Sequence, residues 1–198
     1  MLSKLGVQNI GLYDMDIVET HNIPNQLYSL EDGDIFKVKA CEQHIEKLGS
    51  RVSNIYTNIE EVTKDNIQCY DFGDTIFCLV DSMKARKELF EAMLKTDRSK
   101  LWIETRMGLT GYRIYMVHLK NQKEVDKYME TLYSDEDAEV SACGASQSIV
   151  TTAMQCASHA VGLWLAEKNG AEYVPNEIIF DIHSSFIMSR KFDKQEEE

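Results

Sequence analysis

The stretch "DTIFCLVD", residues 74–81, is an apolar run with an acid at each end and no polar alternation inside. A run of that kind suits a strand covered on both faces, as happens when helices pack on each side of a sheet. The next fifteen residues, 82–96, place Ala85, Leu89, Met93 and Leu94 on one helical face. The same order appears earlier. "VQNIGLYD" (7–14) reads as a short buried strand ending in an acid, and 15–36 reads as a polar loop. Residues 37–48 form a helix with Val38, Cys41, Ile45 and Leu48 inward, and Gly49 stands where such a helix stops. A further strand is expected at 51–58. From residue 100 the pattern changes. Strands at 100–108 and 112–119 are joined by the short "GLTG", a helix covers 122–133, and an acidic loop covers 134–139. A long apolar helix runs over 145–169, with the Met and Trp side chains of 150–165 in the core, and two strands close the chain at 176–182 and 184–192. The expected architecture is an α/β sheet, mostly parallel at first, with helices on both faces and an antiparallel C-terminal edge. Its length suits a single domain over 1–192 followed by the charged tail 193–198.

The formal net charge is −12, which disfavours unspecific binding to nucleic acid or to an anionic membrane surface. No stretch of 18 apolar residues is present, so no membrane-spanning helix is expected. The N-terminal residues lack the features of a secretion signal. The five cysteines form no C-x-x-C pair, so they read as reduced thiols of a cytoplasmic protein and not as zinc ligands.

In sheets of this kind, ligands bind beyond the carboxyl ends of the strands. Asp14 and Asp81 stand at such ends. Asp14 suits the hydroxyls of a ribose, or else it closes its own turn. Asp16 adds a second acid two residues on. Asn22 and Gln26 carry amides that can meet a phosphate or a base. Lys39, in the first turn of its helix, can act as a point charge over the strand ends, or it is a solvated lysine like its neighbour Lys37. Asp81 suits Mg²⁺, or it caps the helix that follows. Cys143, just before a helix, is a possible reactive thiol, or an idle one.

The segment "GLYDMDIVETHNIPNQLY … KVKACEQHI" resembles the ThiF/MoeB/HesA family, the ubiquitin-activating-type adenylating enzymes. The family pattern is D-x-D, then x-V-x-x-x-N-[LI]-x-R-Q, then a lysine opening a helix. Here it falls on Asp14, Asp16, Val18, Asn22, Ile23, Gln26 and Lys39. "FCLVDSMKAR" is similar to the strand ending T-D-N-x-x-x-R, at Asp81 and Arg86. "ETRMGLTGYRIYM" is similar to the next strand and turn, at Gly108 and Gly111. The resemblance implies a Rossmann-like fold in which Asp14 binds the ATP ribose. Asn22, Gln26 and Lys39 would then face the phosphates, and Asp81 would hold Mg²⁺. It further implies ATP-dependent adenylation of the C-terminal carboxylate of a small ubiquitin-like or sulfur-carrier protein, with Lys39 and Asp81 as the catalytic pair.

The sequence also departs from the family. The family's first strand, G-x-G-x-x-G loop and helix have no counterpart, and no G-x-G occurs anywhere. The arginine before the glutamine is Asn25, the residue after Asp81 is Ser82, and the zinc-binding cysteine pairs of many members are missing. The expectation is a site completed by a homodimer or by a partner chain that supplies the Gly-rich loop. The alternatives are a catalytically silent scaffold for an active homologue, and a module for another nucleotide.

Overall fold

The computed structural model describes residues 1–49, 52–133 and 149–192. The acidic loop 134–139, Cys143 and the tail lie outside the described residues. The chain divides into two compact units, Met1–Val62 and Thr63–Glu198.

The first unit is a strand–loop–helix–strand crossover. β1 (Asn9–Tyr13) and β2 (Asn54–Asn58) pair in parallel, with Ile10 beside Ile55 and Leu12 beside Thr57. Parallel neighbours need a crossover, and α1 (Lys37–Lys47) lies within it. The long loop is folded on itself. The Val18 amide donates to the Ile35 carbonyl at 2.8 Å, and the Asp34 amide donates back to the Val18 carbonyl at 3.0 Å. Val18 is completely buried by this pairing. α1 buries Val38 and Ala40, while Cys41 and Ile45 are half-buried and Leu48 is exposed, so its inward face is narrower than the spacing predicts. Gly49 ends the helix with φ of +60°, a left-handed conformation that favours glycine.

The second unit holds a five-stranded sheet in the order β3-β4-β5-β6-β7. The strands are β3 (Thr75–Cys78), β4 (Leu101–Met107), β5 (Gly111–His118), β6 (Glu177–Asp181) and β7 (Phe186–Arg190). β3 and β4 are parallel, and every later pairing is antiparallel. Parallel pairs therefore come first and an antiparallel edge follows, as the pattern of apolar runs predicts. Helices cover both faces. α4 (Val150–Lys168) brings Cys156, Ala160 and Leu163 against Leu101, Ile103, Ile114 and Met116. On the opposite face, Phe90 of α2 (Met83–Met93) meets Trp102 edge-on, its ring centroid 5.3 Å away. Tyr128 of α3 (Gln122–Met129) packs on Phe90 and on Tyr115.

Three local expectations change. β3 ends at Cys78, so Asp81 lies three residues past the strand and Leu79 is 68% exposed. On α2 the buried face includes Arg86, while Leu94 falls after the helix and is exposed. Arg86 is drawn inward by the fully buried Glu104, whose Oε1 is 2.8 Å from its Nε, and by the carbonyls of Val80 and Thr105. Arg106 closes the other side of Glu104, with Nη2 at 3.0 Å from Oε2, and the Tyr128 hydroxyl donates to the same oxygen. Finally, Met154 on α4 is exposed and not part of the core, because the sheet covers only one side of that helix.

Candidate functional site

The polar loop after β1 is built by its own side chains. Asp14 follows Tyr13 directly, and its Oδ1 accepts the Asp16 amide at 2.8 Å, turning the chain as it leaves the strand. Asp16 is then held twice by the first residue of α1. The Lys37 amide donates to the Asp16 carbonyl at 2.8 Å, and Lys37 Nζ donates to Asp16 Oδ2 at 2.7 Å. Ile17 bridges Phe36 in antiparallel fashion, so this pairing follows from the course of the chain. Farther along, Asn22 is buried, and its Oδ1 accepts the Glu19 amide at 2.9 Å in a short 3-10 turn. Asn25 donates to the His21 carbonyl at 3.1 Å, so the residue standing where the family has arginine serves the loop itself.

These residues line an open cavity of about 350 Å³, walled by Asp16, Glu19, His21, Asn22 and Lys37. Met15 and Ile17 complete the lining. Three of the expected residues therefore lie close together in this loop: Asp14, Asp16 and Asn22. Gln26 is exposed, with its backbone N–H donating to the Asn22 carbonyl at 2.8 Å.

Lys39 is turned away from the acid pair. Its Nζ lies 3.0 Å from Glu42 Oε2, one helical turn on, and its side chain is 47% exposed. Lys37, two residues earlier, is the ammonium that faces Asp16, and only 17% of its side chain is exposed. Successive helix residues point about 100° apart, so positions 37 and 39 present different sides of α1. The motif K-V-K offers both lysines equally. Only the antiparallel run of 16–18 against 34–37 selects between them.

Two further residues organise the loop and carry no motif signal. Asp32 is buried and accepts from the Ser29 amide at 2.6 Å, the Ser29 hydroxyl at 2.8 Å and His44 Nε2 at 3.0 Å. The Ser29 amide is the main cause that holds its carboxyl below the usual range, with the hydroxyl and His44 adding to it. Tyr28 has its phenol pushed well above the ordinary value, first by burial and then by nearby Cys41, Asp14, Asp32 and Asp16. A neutral phenol thus stays among these acids.

In the second unit, Asp81 is exposed and does not cap α2. That task falls to Ser82, whose Oγ accepts the Ala85 amide at 3.2 Å. Among the described residues no group of three or more His, Cys, Asp or Glu side chains is arranged to hold a metal ion. A Mg²⁺ carried on nucleotide phosphates needs only one or two carboxylates from a protein, and Asp81 satisfies that donor requirement. The described cysteines are unpaired, and burial pushes the Cys78 and Cys156 thiols up to about 12. Among the described residues no helix is long and apolar enough to cross a membrane.

A parallel crossover with an acid-rich loop leaving its first strand, together with a sheet of one parallel and three antiparallel pairings, defines a Rossmann-like α/β protein. The ThiF family model matches residues 1–195, and the chain belongs to the ThiF family. Solved structures agree in fold. PaaA superposes with a TM-score of 0.69 at 12% identity, over 96% of this chain and 74% of that one. Escherichia coli MccB with ATP gives 0.73 at 12% identity, over 99% and 60%. MccB with selenomethionyl MccA gives 0.76 at 11% identity, over 100% and 60%. The present chain therefore spans about 60% of the length of the MccB chains it matches. No curated protein matches the sequence.

Proposed function

We propose that this protein binds ATP and takes part in adenylating the C-terminal carboxylate of a small ubiquitin-like or sulfur-carrier protein or peptide. A second chain, either another copy or a partner bearing a Gly-rich strand-loop-helix, would complete the site. The observation that carries this reading is the Asp14–Asp16–Lys37 arrangement beside Asn22, at the carboxyl end of β1, within a ThiF-family chain. Support also comes from MccB, whose fold this chain shares and which has been solved with ATP and with MccA.

In this reading Asp14, already oriented by the Asp16 amide, accepts the ribose hydroxyls. Asn22 and Gln26 present amides to the phosphates. Lys37 takes the role that the sequence pattern gives to Lys39, leaving Asp16 for the nucleotide when one binds. Asp81 contributes a carboxylate to Mg²⁺, which would supply charge neutralisation on the phosphates. A carboxylate oxygen of the substrate forms a bond to the α-phosphorus, and the bond from that phosphorus to the bridging oxygen breaks. An acyl adenylate and pyrophosphate result. The protein's part is alignment and charge placement.

One observation favours a second reading, a non-catalytic subunit paired with an active homologue. Lys37 is already neutralised by Asp16, and Glu19 adds a further acid to the same cavity. Calorimetric ATP titration and ATP–pyrophosphate exchange separate the two. Lys37→Ala is expected to weaken ATP binding at least tenfold, and Lys39→Ala less than twofold. Equal losses would remove Lys37 from its role. ATP binding without exchange, in the presence of a chain bearing the Gly-rich segment, would establish the non-catalytic reading.

A further inference from the structure

Two pairs of a basic and an acidic side chain line the cavity in the loop after β1. Lys37 Nζ meets Asp16 Oδ2 at 2.7 Å, and His21 Nδ1 meets Glu19 Oε2 at 3.2 Å. The first pair is fixed by the backbone as well, through the Lys37 amide on the Asp16 carbonyl. The second is loose: the His21 and Glu19 side chains are 56% and 60% exposed. Exposed pairs of this kind contribute little to stability and exchange readily for another charged partner. His21 falls on an unspecified position of the family pattern, directly before Asn22, so the motif gives it no role.

The backbone under the ring is well held. The Asn22 amide donates to the Glu19 carbonyl at 2.8 Å, the Glu19 amide donates to Asn22 Oδ1 at 2.9 Å, and Asn25 Nδ2 donates to the His21 carbonyl at 3.1 Å. Asn25 stands where the family has arginine, yet its amide is committed to this frame and it does not line the cavity. A polyphosphate approaching a chain of net charge −12 needs positive groups where it lands. Of the residues lining the cavity, Lys37 and His21 are the two basic ones. We propose that His21 replaces the missing arginine as the second phosphate contact of this site, with Glu19 standing in for a phosphate oxygen until a nucleotide's polyphosphate displaces it.

This inference rests on the nucleotide reading above and names a residue that the reading does not use. A carboxylate only accepts hydrogen bonds, so the His21 Nδ1–H is the donor toward Glu19. A phosphate oxygen is an acceptor of the same kind, and the same N–H serves either partner in turn. Across the cavity the ring faces Asp16 and Lys37, whose charges offset each other. Glu19 is exposed enough to turn into water once its place is taken. The two side chains therefore act on a polyphosphate with opposite signs. Removing the ring weakens binding, and removing the Glu19 charge strengthens it. A pair that merely braced the loop would weaken binding when either member was lost.

The test uses the full chain, titrated calorimetrically at low salt with ATP, inorganic tripolyphosphate and adenosine. His21→Ala is expected to weaken ATP and tripolyphosphate about fivefold, less than a sequestered charge-assisted bond would give, because water and salt screen the exposed ring. Adenosine, which has no phosphate, should bind His21→Ala as it binds the wild type. His21→Arg should restore both polyanions, and Glu19→Gln should bind them roughly twofold to threefold more tightly than the wild type. Circular dichroism and Tm should not move in any of these variants. The inference is overturned, with the nucleotide reading intact, if Lys37→Ala weakens ATP and His21→Ala does not. It is also overturned if His21→Ala loses adenosine and ATP equally, or if Glu19→Gln weakens binding as His21→Ala does. If the wild type takes up neither ATP nor tripolyphosphate, alone or with a chain bearing the Gly-rich segment, the inference and the nucleotide reading fall together.

Discussion

Within Met1–Val62 the buried apolar side chains among the described residues are Val18, Val38 and Ala40. From Thr63 onward the sheet buries Phe90, Met93, Trp102, Ile103, Ile114, Tyr115, Met116 and Tyr128, among others, on two faces. The first unit holds its shape with polar side chains returned to the backbone: Asp14 to Asp16, Asn22 to Glu19, Asp32 to Ser29. The second uses close-packed aromatics around a buried ionic cluster. Apolar burial contributes about 25 cal/mol per Å², whereas a single such hydrogen bond contributes roughly 1 kcal/mol net. The candidate site therefore sits in the less strongly secured unit. Local opening is expected to begin there, since mobile elements come from the low-stability end of a structure.

The largest test strikes the second unit at its charged centre. Glu104→Ala leaves Arg86 and Arg106 buried beside an absent carboxylate, and a broken buried pair costs about 3–5 kcal/mol. Urea unfolding followed by tryptophan fluorescence reads this directly, because Trp102 and Trp164 both belong to this unit. A loss below about 1 kcal/mol would mean that the cluster is not structural.

A smaller change probes the first unit. Asp32→Asn weakens the hydrogen bonds from Ser29 and His44 and is expected to cost about 1–2 kcal/mol. It should appear as faster amide exchange over residues 29–47, with the tryptophan transition nearly unmoved. Movement of both together would show that the units unfold as one. Because the folded state depresses the Asp32 carboxyl, its contribution is present above the ordinary aspartate range near pH 4. It fades as pH falls through the folded value.

The smallest effect concerns how three elements of the second unit are tied. His118 Nδ1 faces Glu124 at 2.9 Å and its Nε2 faces Glu167 at 2.9 Å, linking β5, α3 and α4. The bond to Glu124, followed by that to Glu167, raises the imidazole to about 9 against the cost of partial burial. A raised folded value stabilises below about pH 6.5, and that contribution is lost as pH rises through about 9. Since the ring is 39% exposed, solvent screening leaves about 1 kcal/mol. His118→Gln should lower Tm at pH 6 and leave it unchanged above pH 10.

Much of this architecture is written in local pattern. The apolar runs at 7–14, 74–81, 100–108 and 112–119 mark strands, and Gly49 marks a helix end, because strand period, helix period and left-handed turns are properties of short segments. That the D-x-D at 14–16 and the asparagine at 22 share one loop was legible for the same reason: acids and amides that leave a strand end in a loop stay near one another. Arg86 and Glu104 were not legible as a pair. They lie on different elements, and nothing along the chain announces that a helix arginine will turn inward to meet a strand carboxylate.

The choice between Lys37 and Lys39 marks the boundary most clearly. The sequence by itself determined that a lysine opens the first helix after an acid-bearing loop, since composition and spacing suffice for that. Which lysine meets Asp16 was decided only by the tertiary structure. The antiparallel return of 16–18 against 34–37 sets the rotation of α1, and a rotation of about 100° per residue separates a bound ammonium from one beside Glu42.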